Sequence, residues 1–105
     1  MKNEKVTSFI HRLLVKWDKR GYSPFSINVG NCDEFSYELE LEFPDGYAIW
    51  GEDYPLLFKT DIDPEGHNFF VLDGICYDSE CPEGVSSPDL LPYYQRAKKA
   101  LDYIH

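Results

Sequence analysis

Hydrophobic residues recur every three to four positions near the beginning of the chain. This spacing predicts a helix over residues 4–19, because apolar side chains at i, i+3, i+4 and i+7 form one stripe on a helix. Gly21 and Pro24 follow the stripe, and neither residue readily continues a helix. The stripe is typical of a helix that packs on a protein core, and it comprises Val6, Phe9, Ile10, Leu13, Leu14 and Trp17.

Residues 25–43 read as a short extended piece followed by a segment that fits either a strand or a helix. Residues 25–32 read as a short extended piece. From residue 35 to residue 43 the apolar positions alternate as in a strand, but they also recur every four residues as in a helix. The glutamates between them favour a helix, and Asn31 is a suitable N-cap residue. We therefore predict a helix over residues 32–43.

The second half of the chain contains a β-hairpin pattern. Asp73 and Gly74 separate two apolar runs, residues 69–72 and 75–78. An Asp-Gly pair readily adopts the positive φ angles that a two-residue turn requires. The sequence therefore predicts two antiparallel strands joined by a tight turn.

The remaining segments complete the predicted fold. Residues 47–50 read as a strand, residues 82–88 as a loop that is rich in proline and glycine, and residues 92–104 as a closing helix. The predicted class is α+β: an antiparallel sheet with a central β-hairpin packs against the N-terminal, Cys-bearing and C-terminal helices. At 105 residues the chain is expected to form a single compact domain, residues 1–105.

The charge is strongly negative and unevenly distributed. The formal net charge is -9, and residues 25–92 contain sixteen Asp or Glu against Lys59 alone. Such a surface repels phosphate backbones, so we expect no direct nucleic-acid binding. No apolar run is long enough to span a bilayer, so we also expect no membrane insertion and a cytoplasmic location. The oligomeric state is left open.

Strand parity places three chemically active side chains on one face of the predicted hairpin. A two-residue turn at Asp73-Gly74 puts His67 on the same face as Asp78 and Glu80. His67 and Asp78 become diagonal neighbours at about 7–8 Å, close enough for imidazole to meet carboxylate. A carboxylate that holds one ring nitrogen leaves the other nitrogen available as a base, with Glu80 as a second candidate for the carboxylate.

Cys32 opens the predicted helix over residues 32–43. Unpaired N–H groups and the helix dipole at that position favour thiolate over thiol, and they can also bind an oxyanion. Gly30 leaves room for a substrate backbone, and Asn28 and Asn31 are candidate oxyanion donors. The structural alternative is a buried, unreactive Cys32, since free cysteine is among the most buried residue types.

Two metal alternatives have weaker sequence support. A Cys₃His zinc site is conceivable from the three cysteines with His67, but the chain has no C-x-x-C pair. Residues 61–66 copy the start of a calcium loop, but the twelfth position is Leu72 where a bidentate glutamate is needed. We therefore expect no metal and no other cofactor. With three cysteines, we expect free thiols.

Two segments resemble a known superfamily. Residues 30–36, Gly-Asn-Cys-Asp-Glu-Phe-Ser, resemble the nucleophile segment of papain-like and transglutaminase-like cysteine enzymes. Residues 66–78, with His67 on one strand and Asp78 on the next, resemble their histidine and aspartate strands, and the order Cys, His, Asp matches as well. The resemblance implies an α+β core and thiolate attack on an amide or ester through an acyl-enzyme.

The resulting hypothesis is a small cysteine hydrolase or acyltransferase that acts on an amide bond. Cys32 is the expected nucleophile, His67 the general base and then acid, and Asp78 the orienting carboxylate. The acidic surface favours a protein or peptide substrate rich in Lys and Arg. The rival hypothesis is a non-catalytic acidic binding or inhibitor protein whose carboxylates imitate nucleic-acid phosphates.

Overall fold

A computed structural model describes residues 2–54 and 66–104 of the chain. Within these residues the fold is α+β, as predicted, with four helices and a four-stranded antiparallel sheet. Short 3₁₀ turns lie at Gly51–Asp53 and Pro88–Leu90. The helices and strands are α1 (Glu4–Asp18), α2 (Pro24–Gly30), α3 (Cys32–Glu42), β1 (Tyr47–Trp50), β2 (Asn68–Leu72), β3 (Ile75–Asp78), β4 (Cys81–Val85) and α4 (Pro92–Ile104).

The first helix forms for the reasons that its apolar stripe suggests. The Asn3 side chain caps α1 by accepting a hydrogen bond from the backbone N–H of Lys5. One face of the helix is buried in the core and the rest meets solvent. The buried side chains of this face are Val6, Ile10, Leu13 and Trp17. None of the helices within residues 2–54 and 66–104 combines the length and apolar composition needed to cross a bilayer.

The sheet is a simple meander in the order β1-β2-β3-β4. The β2–β3 hairpin has the predicted register, with Val71 paired to Cys76 and Phe70 to Tyr77. The turn residues Asp73 and Gly74 have φ angles of 52° and 77°. These positive values match the right-handed twist of the strands, which is why an Asp-Gly pair suits this turn.

The sheet separates two cores. On one face, Phe70, Leu72, Ile75 and Tyr77 pack with the apolar residues of α1 and α3. On the other face, a smaller cluster joins the sheet to the segment that begins α4. This second cluster comprises Phe69, Val71, Cys76, Cys81, Leu91 and Tyr94. Alternate residues of β2 and β3 therefore pack against different helices, as expected for a sheet that is covered on both sides.

Two predicted segments differ from the structure. Residues 25–32 are not extended, because residues 24–30 form α2. Ser23 and Ser26 form a reciprocal capping box, and Pro24 occupies the first turn, so this short helix has a complete N-terminal signal. The predicted loop over residues 82–88 is also wrong in part, because β4 includes residues 81–85.

Candidate active site

Cys32 is the first residue of α3 and lies at the end of the sheet. Asn31 ends α2 and also precedes α3, so no separate loop connects the two helices. Asn31 is the N-cap residue of α3 and its carbonyl oxygen accepts the N–H of Phe35, but its side chain makes no capping hydrogen bond, contrary to the sequence expectation. The Cys32 side chain is 7% exposed, and its sulfur accepts a hydrogen bond from the backbone N–H of Asn68 at 3.4 Å.

His67 directly precedes β2, and its ring is completely buried. Its Nε2 lies 2.9 Å from Oδ2 of Asp78, which is also buried, at the end of β3. The two residues are thus close across the hairpin, at the positions where strand parity put them. Since Asp78 occupies Nε2, the nitrogen that is available for proton transfer is Nδ1, and this atom has no hydrogen bond of standard geometry among the described residues.

The electrostatics of the site favour a protonated imidazole. Burial lowers the pKa of His67, but the hydrogen bond to Asp78 and the interaction with the Cys32 side chain outweigh burial and raise this pKa above its ordinary value. Cys32 lies beside the ring, because its sulfur accepts the backbone N–H of Asn68, the residue that follows His67.

Aromatic side chains enclose the His67 ring. Tyr93 of α4 stacks on it with a centroid distance of 4.1 Å and an interplanar angle of 11°. Tyr94 approaches edge-on at 5.6 Å, and Phe69 lies at 6.1 Å. These contacts fix the ring plane, so the imidazole cannot rotate away from Asp78 without disturbing α4.

The Asp78 carboxylate is held at both of its oxygens. Oδ2 faces His67, and Oδ1 accepts the backbone N–H of Glu80 at 2.9 Å. The Glu80 side chain does not take the place of Asp78, because it is bonded to Asn28 and to Arg96. Asp78 is therefore the carboxylate that orients the ring.

Asn28 and Gly30, two of the candidate substrate-binding residues, lie on α2. Asn28 is buried, its Nδ2 donates to Glu80 at 2.8 Å, and its Oδ1 accepts from Ser79 at 2.9 Å. The structure thus joins Asn28 and Glu80 to each other. Gly30 is exposed, and a Cβ at this position would meet nothing within 4 Å, so the surface beside Cys32 is open there.

The other two cysteines are buried in the second core and are not paired in disulfides. Burial, followed by nearby negative groups, raises the pKa of Cys76 and the pKa of Cys81 to about 12. Within residues 2–54 and 66–104, no three His, Cys, Asp or Glu side chains are arranged to hold a metal ion. Most of the calcium-like segment over residues 61–66 lies outside the described residues.

Sequence reasoning missed three residues that complete the site. The backbone N–H of Asn68 contacts the sulfur, Tyr93 stacks on the imidazole, and Arg96 binds Glu80. The only sequence signal for Asn68 is its position directly after the candidate histidine. Tyr93 and Arg96 lie on the predicted helix over residues 92–104, but nothing in the sequence indicates which face of that helix meets the hairpin.

The arrangement combines the elements of nucleophilic catalysis by a thiol. A sulfur at a helix N-terminus accepts the N–H of the residue next to His67, and one nitrogen of the His67 imidazole is bound to a buried carboxylate. Two N–H groups are near the sulfur: that of Asn68, and that of Cys32 itself in the first turn of α3. Neutralisation of a developing oxyanion needs donors of this type.

Comparison with known proteins gives no match to a protein-family model, to a curated protein or to a solved structure.

Proposed function

We propose that the protein is a small cysteine hydrolase or acyltransferase that acts on an amide bond through a thioester, as in papain-like and transglutaminase-like enzymes. One observation carries the proposal. The His67 ring is bound by Asp78 through Nε2 at 2.9 Å, while its remaining nitrogen has no standard partner and its pKa is raised in part by the Cys32 side chain. Cys32, which is far from this pair in the chain, supports the proposal by its position, since its sulfur accepts the N–H of Asn68, the residue next to His67.

The proposed reaction has two halves. In the first half the Cys32 thiolate forms a bond to the carbonyl carbon of the substrate, and the carbonyl π electrons move to oxygen. His67 then gives its Nδ1 proton to the nitrogen of the leaving amine, the C–N bond breaks, and a thioester remains on the sulfur. Asp78 stabilises the imidazolium that exists before this transfer.

In the second half water or an acceptor amine attacks the thioester. Nδ1 of His67 takes the proton of the attacking group, the C–S bond breaks, and the thiolate leaves as the product acid or new amide forms. The N–H groups of Asn68 and Cys32 are near enough to the sulfur to stabilise the oxyanion in both halves. Water gives a hydrolase, and an amine gives an acyltransferase.

We propose a peptide or protein substrate with Lys or Arg near the reacting amide. Asp33 and Glu34 follow Cys32 directly in the first turn of α3, and both side chains are exposed. The two carboxylates beside Cys32 attract a cationic peptide segment and increase its association rate at low salt. Glu34→Lys is expected to weaken selection for basic peptide amides, whereas Glu42→Lys at the far end of the same helix is a matched control.

The nucleophile is tested by alkylation with iodoacetamide near pH 6. In the folded protein, Cys32 is expected to react before Cys76 and Cys81, and faster than Cys32 in the urea-unfolded chain at the same pH. The comparison with the unfolded chain is decisive, because the other two thiols are slow for reasons of burial alone. Peptide mapping by mass spectrometry identifies the modified residue. Folded Cys32 that reacts no faster than unfolded Cys32 would contradict the proposed activation.

The second candidate function is a non-catalytic acidic binding protein. The complete burial of His67 favours it, because a His–Asp pair also occurs as a purely structural contact. Binding to a basic partner such as polylysine should then weaken steeply with ionic strength and survive Cys32→Ala. Turnover of an amide substrate, in contrast, should disappear in Cys32→Ala while the protein remains folded.

A further inference from the structure

The turn between β3 and β4 is fastened to α2. The hydroxyl of Ser79 lies 2.7 Å from the carbonyl oxygen of Pro24 and 2.9 Å from Oδ1 of Asn28. Glu80, the next residue, accepts a hydrogen bond from Nδ2 of Asn28 at 2.8 Å. The end of β3, which carries Asp78, is therefore held against the helix that leads directly to Cys32.

The same turn is fastened to α4 by an ion pair. The guanidinium of Arg96 donates two hydrogen bonds to the two oxygens of Glu80, each 2.8 Å long. Burial raises the pKa of Glu80, but the hydrogen bonds from Arg96 and Asn28 outweigh burial and hold this pKa below its ordinary value. Arg96 also lies over the ring of Phe25 on α2, at 4.8 Å from the centroid.

The fastened turn is linked to the His67 ring through Asp78, and Arg96 links it to the helix that carries the stacking residue Tyr93. The backbone N–H of Glu80 holds one oxygen of Asp78, and the other oxygen of Asp78 holds Nε2 of the imidazole. Tyr93, which stacks on the imidazole, lies on α4 three residues before Arg96. A displacement of Arg96 therefore reaches the ring by two routes, through the Asp78 carboxylate and through the stacked phenol.

The Glu80–Arg96 ion pair can have one of two roles. It keeps α4 as a movable cover over the site, or it sets the geometry of Asp78 and His67 beneath α4. Lifting α4 would expose Tyr94, which is completely buried and packs against Phe69. Exposing a fully buried aromatic side chain to water costs more free energy than a partly exposed ion pair contributes. Apolar packing, and not the ion pair, therefore keeps α4 in place.

We infer that the Glu80–Arg96 ion pair positions the Asp78–His67 pair for proton transfer, so that Arg96 is a positioning residue of the site. The inference rests on the proposed function for its catalytic meaning. Its physical content is narrower: the bidentate ion pair keeps the Asp78 carboxylate in line with the His67 ring.

The test compares three variants on α4 by two readouts. Arg96→Met removes the charge and both donors, Arg96→Lys keeps the charge without the bidentate geometry, and Lys98→Met is an exposed control with the same charge change. Circular dichroism establishes that each variant is folded. The first readout is the pKa of His67 by NMR titration, and the second is the rate of Cys32 alkylation by iodoacetamide between pH 5 and 8.

The sign of the pKa change separates positioning from simple electrostatics. Among residues 2–54 and 66–104, the titratable groups that act on or pack against the ring are Asp78 from β3, Cys32 from α3, Tyr93 and Tyr94 from α4, and Glu80 from the turn. If nothing moved, loss of Arg96 would leave Glu80 uncompensated and raise the pKa of His67. If Asp78 loses its alignment, this pKa falls, because burial of the ring is then less opposed.

We expect Arg96→Met to lower the pKa of His67, because burial of the ring is then less opposed, and to slow alkylation of Cys32 roughly tenfold, which is less than a 1 Å misplacement can cost. Arg96→Lys should be intermediate and Lys98→Met unchanged. An unchanged or higher pKa of His67 in Arg96→Met would overturn the inference, and faster alkylation of Cys32 would show that α4 is a cover instead. If wild-type Cys32 is unreactive, the proposed function fails, but the NMR result still decides the positioning role.

Discussion

Replacing Asp78 by asparagine is expected to move the proton of the neutral His67 ring from Nε2 to Nδ1. In the wild type, one carboxylate oxygen accepts the backbone N–H of Glu80 and the other faces Nε2 of His67. The backbone N–H can only donate, so the single oxygen of an asparagine must turn toward it. The amide NH₂ then faces His67 and donates to Nε2, which forces the proton of the neutral ring onto Nδ1.

This reversal removes the base from the proposed reaction, because Nδ1 is the nitrogen that is available to Cys32. A wrong tautomer of this kind costs about 10⁴-fold in turnover in serine proteases. The loss of a charge-assisted hydrogen bond between two buried groups should also lower the free energy of unfolding by about 1.5–3 kcal/mol. The variant should still fold, since domains of this size have about 5–15 kcal/mol of stability.

The assay for Asp78→Asn reads the tautomer directly. Long-range ¹H–¹⁵N correlation spectra distinguish a ring with a proton on Nδ1 from one with a proton on Nε2. Alkylation of Cys32 at pH 6 should fall at least about tenfold, because the imidazolium that stabilises the thiolate is lost. The control is Asp73→Asn, which makes the same charge change in the exposed hairpin turn. A ring that keeps its Nε2 proton in Asp78→Asn, or an unchanged alkylation rate, would refute the reasoning.

Three further predictions concern stability. The pKa of His67 is raised in the folded state, so protonation of this residue stabilises the fold. The stabilisation is complete below the unfolded-state pKa of about 6.5, and it is lost as the pH rises through the higher folded-state pKa. The difference in the free energy of urea unfolding between the wild type and His67→Asn should therefore shrink from pH 5 to 8. Gly84→Ala should lower the free energy of unfolding by roughly 2–4 kcal/mol, since φ is +78° and a Cβ would lie within 2.6 Å of two β3 side chains. The control Gly74→Ala has a similar φ of +77° but nothing within 4 Å of the added Cβ, and it should cost only about 1 kcal/mol. Equal losses for the two variants in thermal or urea unfolding would contradict this prediction. Glu38→Leu should cost about 1–3 kcal/mol, because the buried indole N–H of Trp17 donates to Glu38 at 2.8 Å, and Glu38→Gln, which keeps an acceptor, should recover most of that loss.

The parts of the fold that the sequence predicted are those with local signals. The apolar stripe predicts α1 from local sequence alone, and the Asp73-Gly74 pair predicts the hairpin turn in the same way. The turn also fixes the strand register that brings His67 and Asp78 together. Segments with mixed signals were misread. Residues 25–32 read as a short extended piece, but the capping box that begins at Ser23 starts a seven-residue helix there instead.

The missed strand β4 has a physical reason in its position. It is the edge strand of the sheet, and it contains Pro82 and Gly84. A proline is tolerated at an edge because one side of the strand has no hydrogen-bonding neighbour, and a glycine is tolerated where the ladder is irregular. The register of β4 against β3 does shift between residues 76 and 78. Residues that normally signal a loop therefore occupy a strand here.

The candidate site was predictable only as far as hairpin parity extends. Parity within β2 and β3 relates His67 to Asp78, but it says nothing about Cys32, which depends on how α3 packs on β2. The Asn28–Glu80 hydrogen bond links residues 52 positions apart, and no local pattern indicates it. Such tertiary contacts arise from the packing of whole elements and not from the periodicity of any one of them.

The shared residue between α2 and α3 makes the chain intolerant of length changes at this point. Asn31 ends one helix and precedes the next, so neither helix has spare chain to absorb an extra residue. An inserted residue that joined the first turn of α3 would rotate the rest of that helix relative to α2 by about 100° with a rise of about 1.5 Å. The thiol would then leave the neighbourhood of the imidazole while every side chain of the site remained present, so spacing at this junction matters as much as residue identity.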